Sequence, residues 1–193
     1  ENDLNVKIWT PKGKEKTNAT AIVQIIHGKG EHIGRYKEFA EYLNTLGIVV
    51  IGNDILGHGK TTDKDYSHFG DKNGIEQLCA GVDAVREHIE EKCPKVPIVM
   101  FAHSMGSFIG RYTLMNHPTS YYMACFSGTG WVPVHKLYYG LFRANIVKLF
   151  KGPLYVSKSV TELLDSAPKS MMKNGLINRR EDWISSDKKK SKK

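Results

Sequence analysis

Ser104 stands in the pentapeptide Ala102-His103-Ser104-Met105-Gly106, a G-x-S-x-G pattern with alanine in place of its first glycine. A serine hydroxyl is a poor nucleophile at its ordinary pKa. It needs a turn that exposes the oxygen, a general base, and donors for the oxyanion that forms. The flanks fit the first need: residues 96–101 are an apolar, β-favouring run, and residues 107–117 are amphipathic and closed by Pro118. Strand, tight turn and helix is the setting that holds a serine at a strained bend as a nucleophile. Ala102 and Gly106, small residues on either side, let the strand and helix backbones approach closely. The competing reading is an ordinary turn, since small residues around serine mark those as well.

The oxyanion needs two donors. The first N–H of the following helix, that of Met105, points toward the expected position and gains from the helix N-terminus. A second comes from the loop after an earlier strand, where His27-Gly28-Lys29-Gly30 leaves an apolar run and its glycines free the backbone to turn. The Lys29 amide is the candidate. A nucleotide-binding loop is the alternative, but G-x-G-x-x-G and the G-K-S/T of a P-loop are both missing.

The other histidines read differently. His103 adjoins the serine, yet strand–turn–helix geometry turns its side chain away, which makes it a packing residue. His27, His32 and His58 fall in loop motifs and are expected to hold those loops by hydrogen bonds, and no acidic or cysteine partner supports a metal site. His117 ends a helix, where a cation is favoured.

Those residues must be positioned by an alternation of strands and helices, the pattern of a largely parallel α/β sheet. Strands are expected over residues 4–9, 21–27, 48–51, 96–101 and 123–126. Tyr36, Phe39, Ala40, Leu43 and Leu46 share one helical face before Gly47, and Ile75, Leu78, Cys79, Val82, Val85 and Ile89 mark a longer helix that must end by Pro94. Beyond Gly128 the alternation stops. Residues 131–187 read as several short helices, so the division is a sheet-bearing core, 1–130, and a helical segment with a basic end, 131–193.

Composition narrows the class. A chain of 193 residues with 40% hydrophobic and 25% charged content suits one soluble domain with a sizeable core. Five of its eight excess positive charges are Lys188, Lys189, Lys190, Lys192 and Lys193. No basic stripe interleaved with aromatics remains, which argues against nucleic acid. The lysine run is a solvated tail, or a weak attraction to an anionic lipid surface. Cys79 and Cys125 sit among apolar residues and read as reduced core groups, favouring a cytoplasmic setting. The first residue is Glu1, so a removed leader stays open, and the sequon Asn18-Ala19-Thr20 matters only for a secreted protein.

The motifs also carry a resemblance. His27-Gly28-Lys29-Gly30-Glu31-His32, Arg35-Tyr36, Phe39-Ala40, Asp54 with Gly57-His58-Gly59, and His103-Ser104-Met105-Gly106 occur in this order. Together they resemble the monoglyceride lipase and lysophospholipase branch of the alpha/beta-hydrolase superfamily over about residues 22–130. The likeness continues weakly to Asp182-Trp183-Ile184-Ser185-Ser186-Asp187, similar to a motif in that family's lid. It implies an alpha/beta-hydrolase core with a helical lid, Ser104 as nucleophile, and an oxyanion hole from the amides of Lys29 and Met105. It implies no cofactor, a lipid ester substrate, transient contact with a membrane surface at most, and Asp54 as a loop anchor rather than a triad acid. A peptidase or small-ester hydrolase on the same core, and a non-catalytic lipid-binding relative, are the alternatives.

The chain departs from that family at its end. The triad order is Ser, then Asp or Glu, then His, on strands beyond the lid. Asp165 and Asp182 follow the serine in helical sequence, and no later histidine follows a strand. An incomplete chain is the preferred expectation, because the serine turn and both oxyanion elements are intact. A sheet short of its last strands would expose an apolar edge.

Overall fold

The computed structural model describes residues 3–13, 19–62, 68–70, 72–153, 155–160 and 173–174. Asn18, Asp165, the 182–187 motif and the terminal lysines lie outside the described residues. Residues 1–130 and 131–193 form two compact units.

In the first unit, five strands form one sheet: β1 (Val6–Trp9), β2 (Ile22–Ile26), β3 (Val49–Asn53), β4 (Ile98–His103) and β5 (Met123–Ser127), in spatial order β1-β3-β2-β4-β5. β1 runs antiparallel to β3, and every other pair is parallel. Side chains alternate across the sheet, as the strand period of two demands. On β2, Val23 and Ile25 pack with Val50, Ile33 and Ala40 beneath α1 (Lys37–Thr45). Ile22 and Ile26 face the opposite way, against α2 (Gly74–Lys92) and α3 (Met105–Asn116). Gln24 lies on that second face and is fully buried. It is satisfied because its amide donates to the Val82 carbonyl at 2.8 Å and its oxygen accepts from Tyr121 at 2.9 Å.

The order of connections positions the site. From β2 the chain crosses by α1 to β3 on one side, then returns by α2 to β4 on the other. The loops leaving β2 and β4 are therefore neighbours at the carboxyl ends of adjacent parallel strands, where chain direction reverses and ligands bind in α/β sheets.

Two expectations need correction. Cys125 is exposed rather than a core group. Its neighbours Ala124 and Phe126 turn toward the α2–α3 core, and the strand period puts Cys125 on the other face. In the second unit, residues 134–151 are one helix of 18 residues, α4 (Val134–Lys151), not several short ones. Gly140 fails to break it because a single glycine costs only about 1 kcal/mol.

Candidate active site

Ser104 sits between β4 and α3 with φ +50° and ψ −118°, a backbone conformation that L-residues avoid. Such a conformation persists only where the surroundings enforce it. Here they do. The Ser104 amide donates to the Ser127 carbonyl of β5 at 2.8 Å, and its carbonyl accepts from the Ser107 amide at 2.9 Å. The Ser107 hydroxyl, fully buried, also donates to that carbonyl at 2.6 Å and lies 2.9 Å from the Thr129 hydroxyl. The end of β5 and the first turn of α3 thus grip the bend from both sides.

Ala102 is fully buried. At Gly106 a Cβ would stand 2.3 Å from the Ile26 carbonyl oxygen and 2.5 Å from that of His27, so α3 starts in backbone contact with the end of β2. Met105 is the first residue of α3, and its N–H lacks an intrahelical acceptor as all first-turn amides do.

The loop after β2 lies against this bend. A Cβ on Gly28 would come within 3.1 Å of the Ser104 Cβ and 3.3 Å of the His103 ring. Lys29 follows in the turn, and among the described residues no carbonyl accepts from its amide. Both polar groups of Gly28 are held. Its N–H donates to Glu31 Oε1 at 2.5 Å, and its carbonyl lies 2.8 Å from His27 Nδ1. His27 Nε2 accepts the Ile55 amide at 2.9 Å, which assigns the ring proton to Nδ1. Burial is the main reason this imidazole stays neutral, its pKa lowered to about 4 against a partly offsetting bond to the Gly28 carbonyl.

Asp54 ties the neighbouring loop. Its carboxylate accepts from the Ile33 amide at 2.7 Å, the Lys60 amide at 2.8 Å and the Asn5 side chain at 2.6 Å. Burial opposes its ionisation, but those bonds outweigh burial and hold the carboxyl below its usual pKa. His58 Nδ1 lies 3.2 Å from the Leu56 carbonyl, and its ring stacks on Phe69. Burial lowers its pKa too. His117 caps α3 and approaches Asp83 at 3.5 Å. His103 is turned from the bend, its Nδ1 3.2 Å from the Ser127 hydroxyl, beside a recess lined by Glu31, Arg35, Tyr36 and Phe101.

Among the described residues, no side chain is hydrogen-bonded to the Ser104 hydroxyl. Sequence reasoning missed Glu31, Ser107 and Thr129. A glutamate three residues past a turn glycine was a readable signal for the first. Ser107 and Thr129 meet only through the pairing of β5 with β4, which leaves no local trace.

The serine aminopeptidase, S33 family matches residues 17–193. The monoglyceride lipase homolog of Monkeypox virus is 36% identical over 122 residues, covering 61% of this chain and 40% of that protein. Monoglyceride lipase of Rattus norvegicus is 30% identical over 121 residues, covering 61% of this chain and 36% of its own. A thermostable carboxyl esterase from Bacillus coagulans superposes with a TM-score of 0.81 at 28% identity, over 97% of this chain and 58% of that one. The match thus spans less than half the length of these curated relatives.

Proposed function

The chain belongs to the serine aminopeptidase, S33 family, with the alpha/beta-hydrolase fold, and we propose that it serves a serine hydrolase that cleaves carboxylic esters of lipids. One observation carries this reading: a serine held at φ +50° between β4 and α3, with the Gly28 loop against its Cβ. An ordinary turn would relax such a residue, and a nucleophile gains exposure from it.

In the proposed reaction Ser104 Oγ attacks the ester carbonyl and gives its proton to a histidine base that none of the eight histidines of these 193 residues matches. The amides of Lys29 and Met105 receive the oxyanion, removal of either donor being worth about 10²–10³ in rate. The intermediate collapses to an acyl-serine as the alcohol leaves with the proton. Water, deprotonated by the same base, then releases the fatty acid. No metal or organic cofactor is assigned a step.

The lipid substrate, monoacylglycerol or lysophospholipid, is supported by the names of the relatives and by α4. That helix carries Lys136, Arg143, Lys148 and Lys151, no acidic residue, and exposed Leu137, Phe142, Leu149 and Phe150. A helix so composed suits the acyl entrance of a lid and a transient position on an anionic lipid surface. Residues 131–193 are assigned that lid role, in a cytoplasmic, peripherally attached enzyme. Among the described residues no helix is long and apolar enough to cross a membrane.

The family's description favours a second reading, an aminopeptidase on the same core. Labelling with a fluorophosphonate, adduct mapping, and turnover of glycerol esters against amino-acid amides separate the possibilities. A Ser104 adduct with ester turnover is expected. Amide turnover alone would replace the substrate, and no adduct would leave a non-catalytic lipid binder.

A further inference from the structure

Glu31 has no part in the proton transfers above, yet its carboxylate is built into the loop that faces Ser104. Its side chain is only 12% exposed. Oε1 accepts from the Gly28 amide at 2.5 Å and from the Tyr36 hydroxyl at 2.8 Å, while Arg35 Nε stands 3.8 Å from Oε2. Tyr36 is itself braced, its ring edge-on to Phe101 of β4 at 6.3 Å. A chain of contacts therefore runs from the nucleophile's own strand, through Tyr36 and Glu31, to the first amide of the 28–31 turn.

Geometry makes that amide matter. A trans peptide is planar, so fixing one of its polar groups fixes the whole unit. Glu31 fixes the His27–Gly28 unit by its N–H, and His27 fixes the next unit by the Gly28 carbonyl. That second unit contains the Lys29 N–H, which must then point opposite to the held carbonyl. Gly28 has no side chain to limit its backbone, so without Glu31 only the His27 bond to the Gly28 carbonyl restrains the joint between the two units. A negative charge beside a forming oxyanion would ordinarily slow the reaction. Arg35 and the two donors on Oε1 compensate it, which makes the carboxylate an orienting group rather than an electrostatic one.

We propose that Glu31 is a positioning residue for the Ser104 reaction, holding the Gly28 amide so that the following peptide presents the Lys29 N–H to the reacting carbonyl oxygen. This rests on Ser104 being the nucleophile.

The test is steady-state ester hydrolysis and the bimolecular rate of fluorophosphonate labelling by the full-length enzyme, in the wild type, Glu31→Ala, Glu31→Gln and Tyr36→Phe. Lost orientation of one oxyanion donor predicts that Glu31→Ala lowers kcat about 30- to 300-fold with KM within about threefold. Labelling should slow in parallel. Glutamine keeps an acceptor for the Gly28 amide, so Glu31→Gln should recover most of the loss, and Tyr36→Phe should cost about three- to tenfold. If Glu31→Ala does not fold, the glutamine and phenylalanine variants decide by the same kcat-against-KM split. A kcat for Glu31→Ala within threefold of wild type overturns the inference alone. So does a glutamine variant as slow as alanine, which would make the charge the active property. A wild type that is never labelled on Ser104 overturns both this inference and the nucleophile it rests on.

Discussion

The Ile55 amide donates to Nε2 of His27 across 2.9 Å, fastening the loop after β3 to the end of β2. An imidazolium could not accept that bond, since Nε2 would carry a proton facing a second proton.

Stability should therefore fall as this ring is forced to protonate. His27 has its pKa lowered from 6.5 to about 4 by burial. Between those values the unfolded chain binds the proton and the folded one does not. The stabilisation is complete above pH 6.5 and is lost as pH falls toward 4, by up to roughly 3 kcal/mol. Asp54, also lowered, adds a further loss only at more acid pH, as its carboxylate protonates. Urea midpoints from pH 7.5 to 4 measure this. A flat profile, or a His27→Gln slope undiminished from wild type, would reject the assignment, since His58, also lowered by burial, leaves only part of the slope behind.

Asp54→Asn should destabilise without removing the chemistry. Asparagine cannot replace both carboxylate oxygens as acceptors for Ile33, Lys60 and Asn5. A loss of about 1.5–3 kcal/mol is expected for hydrogen bonds to a charged group. Fluorophosphonate labelling of Ser104 should slow less than tenfold. A fall near the 10⁴ seen for loss of a triad acid would instead make Asp54 catalytic.

Gly106→Ala should be more damaging than its single methyl suggests. The new Cβ would meet two backbone carbonyls, not a flexible side chain, so α3 must move off β2. About 1–3 kcal/mol of stability should disappear in chemical denaturation, and labelling of Ser104 with it. A variant that folds and labels like wild type would show that the close approach is not required.

Much of this arrangement was legible in the residues, for reasons that are local. The short, continuous apolar run ending at Ile26 marks β2 as a buried strand, and the spacing of Leu78, Val82 and Val85 by four and then three residues marks α2 by periodicity. The serine bend follows from the small residues around it. What escaped depends on distant pairing. Cys125 has apolar neighbours in sequence, but its face is decided by which side of β5 meets α3. The grip of Thr129 on Ser107 spans 22 residues and exists only once β5 lies beside β4. The continuity of α4 across Gly140 rests on the helix-favouring residues beyond it, Leu141, Arg143, Ala144, Lys148, Leu149 and Lys151.

For the nucleophile proposed above, the positive φ of Ser104 also sets a conflict between durability and turnover. Glycine accepts the mirror-image backbone freely, so Ser104→Gly should relieve strain of about 1–3 kcal/mol, less the roughly 0.5–1 kcal/mol that glycine loses in chain entropy. The net gain should raise the melting temperature by about 2–4 °C for each kcal/mol in a chain of this length, while Ser104→Ala should not. A sequence selected only for thermal endurance would then drift toward glycine at position 104, and each serine retained there marks selection acting on the hydroxyl.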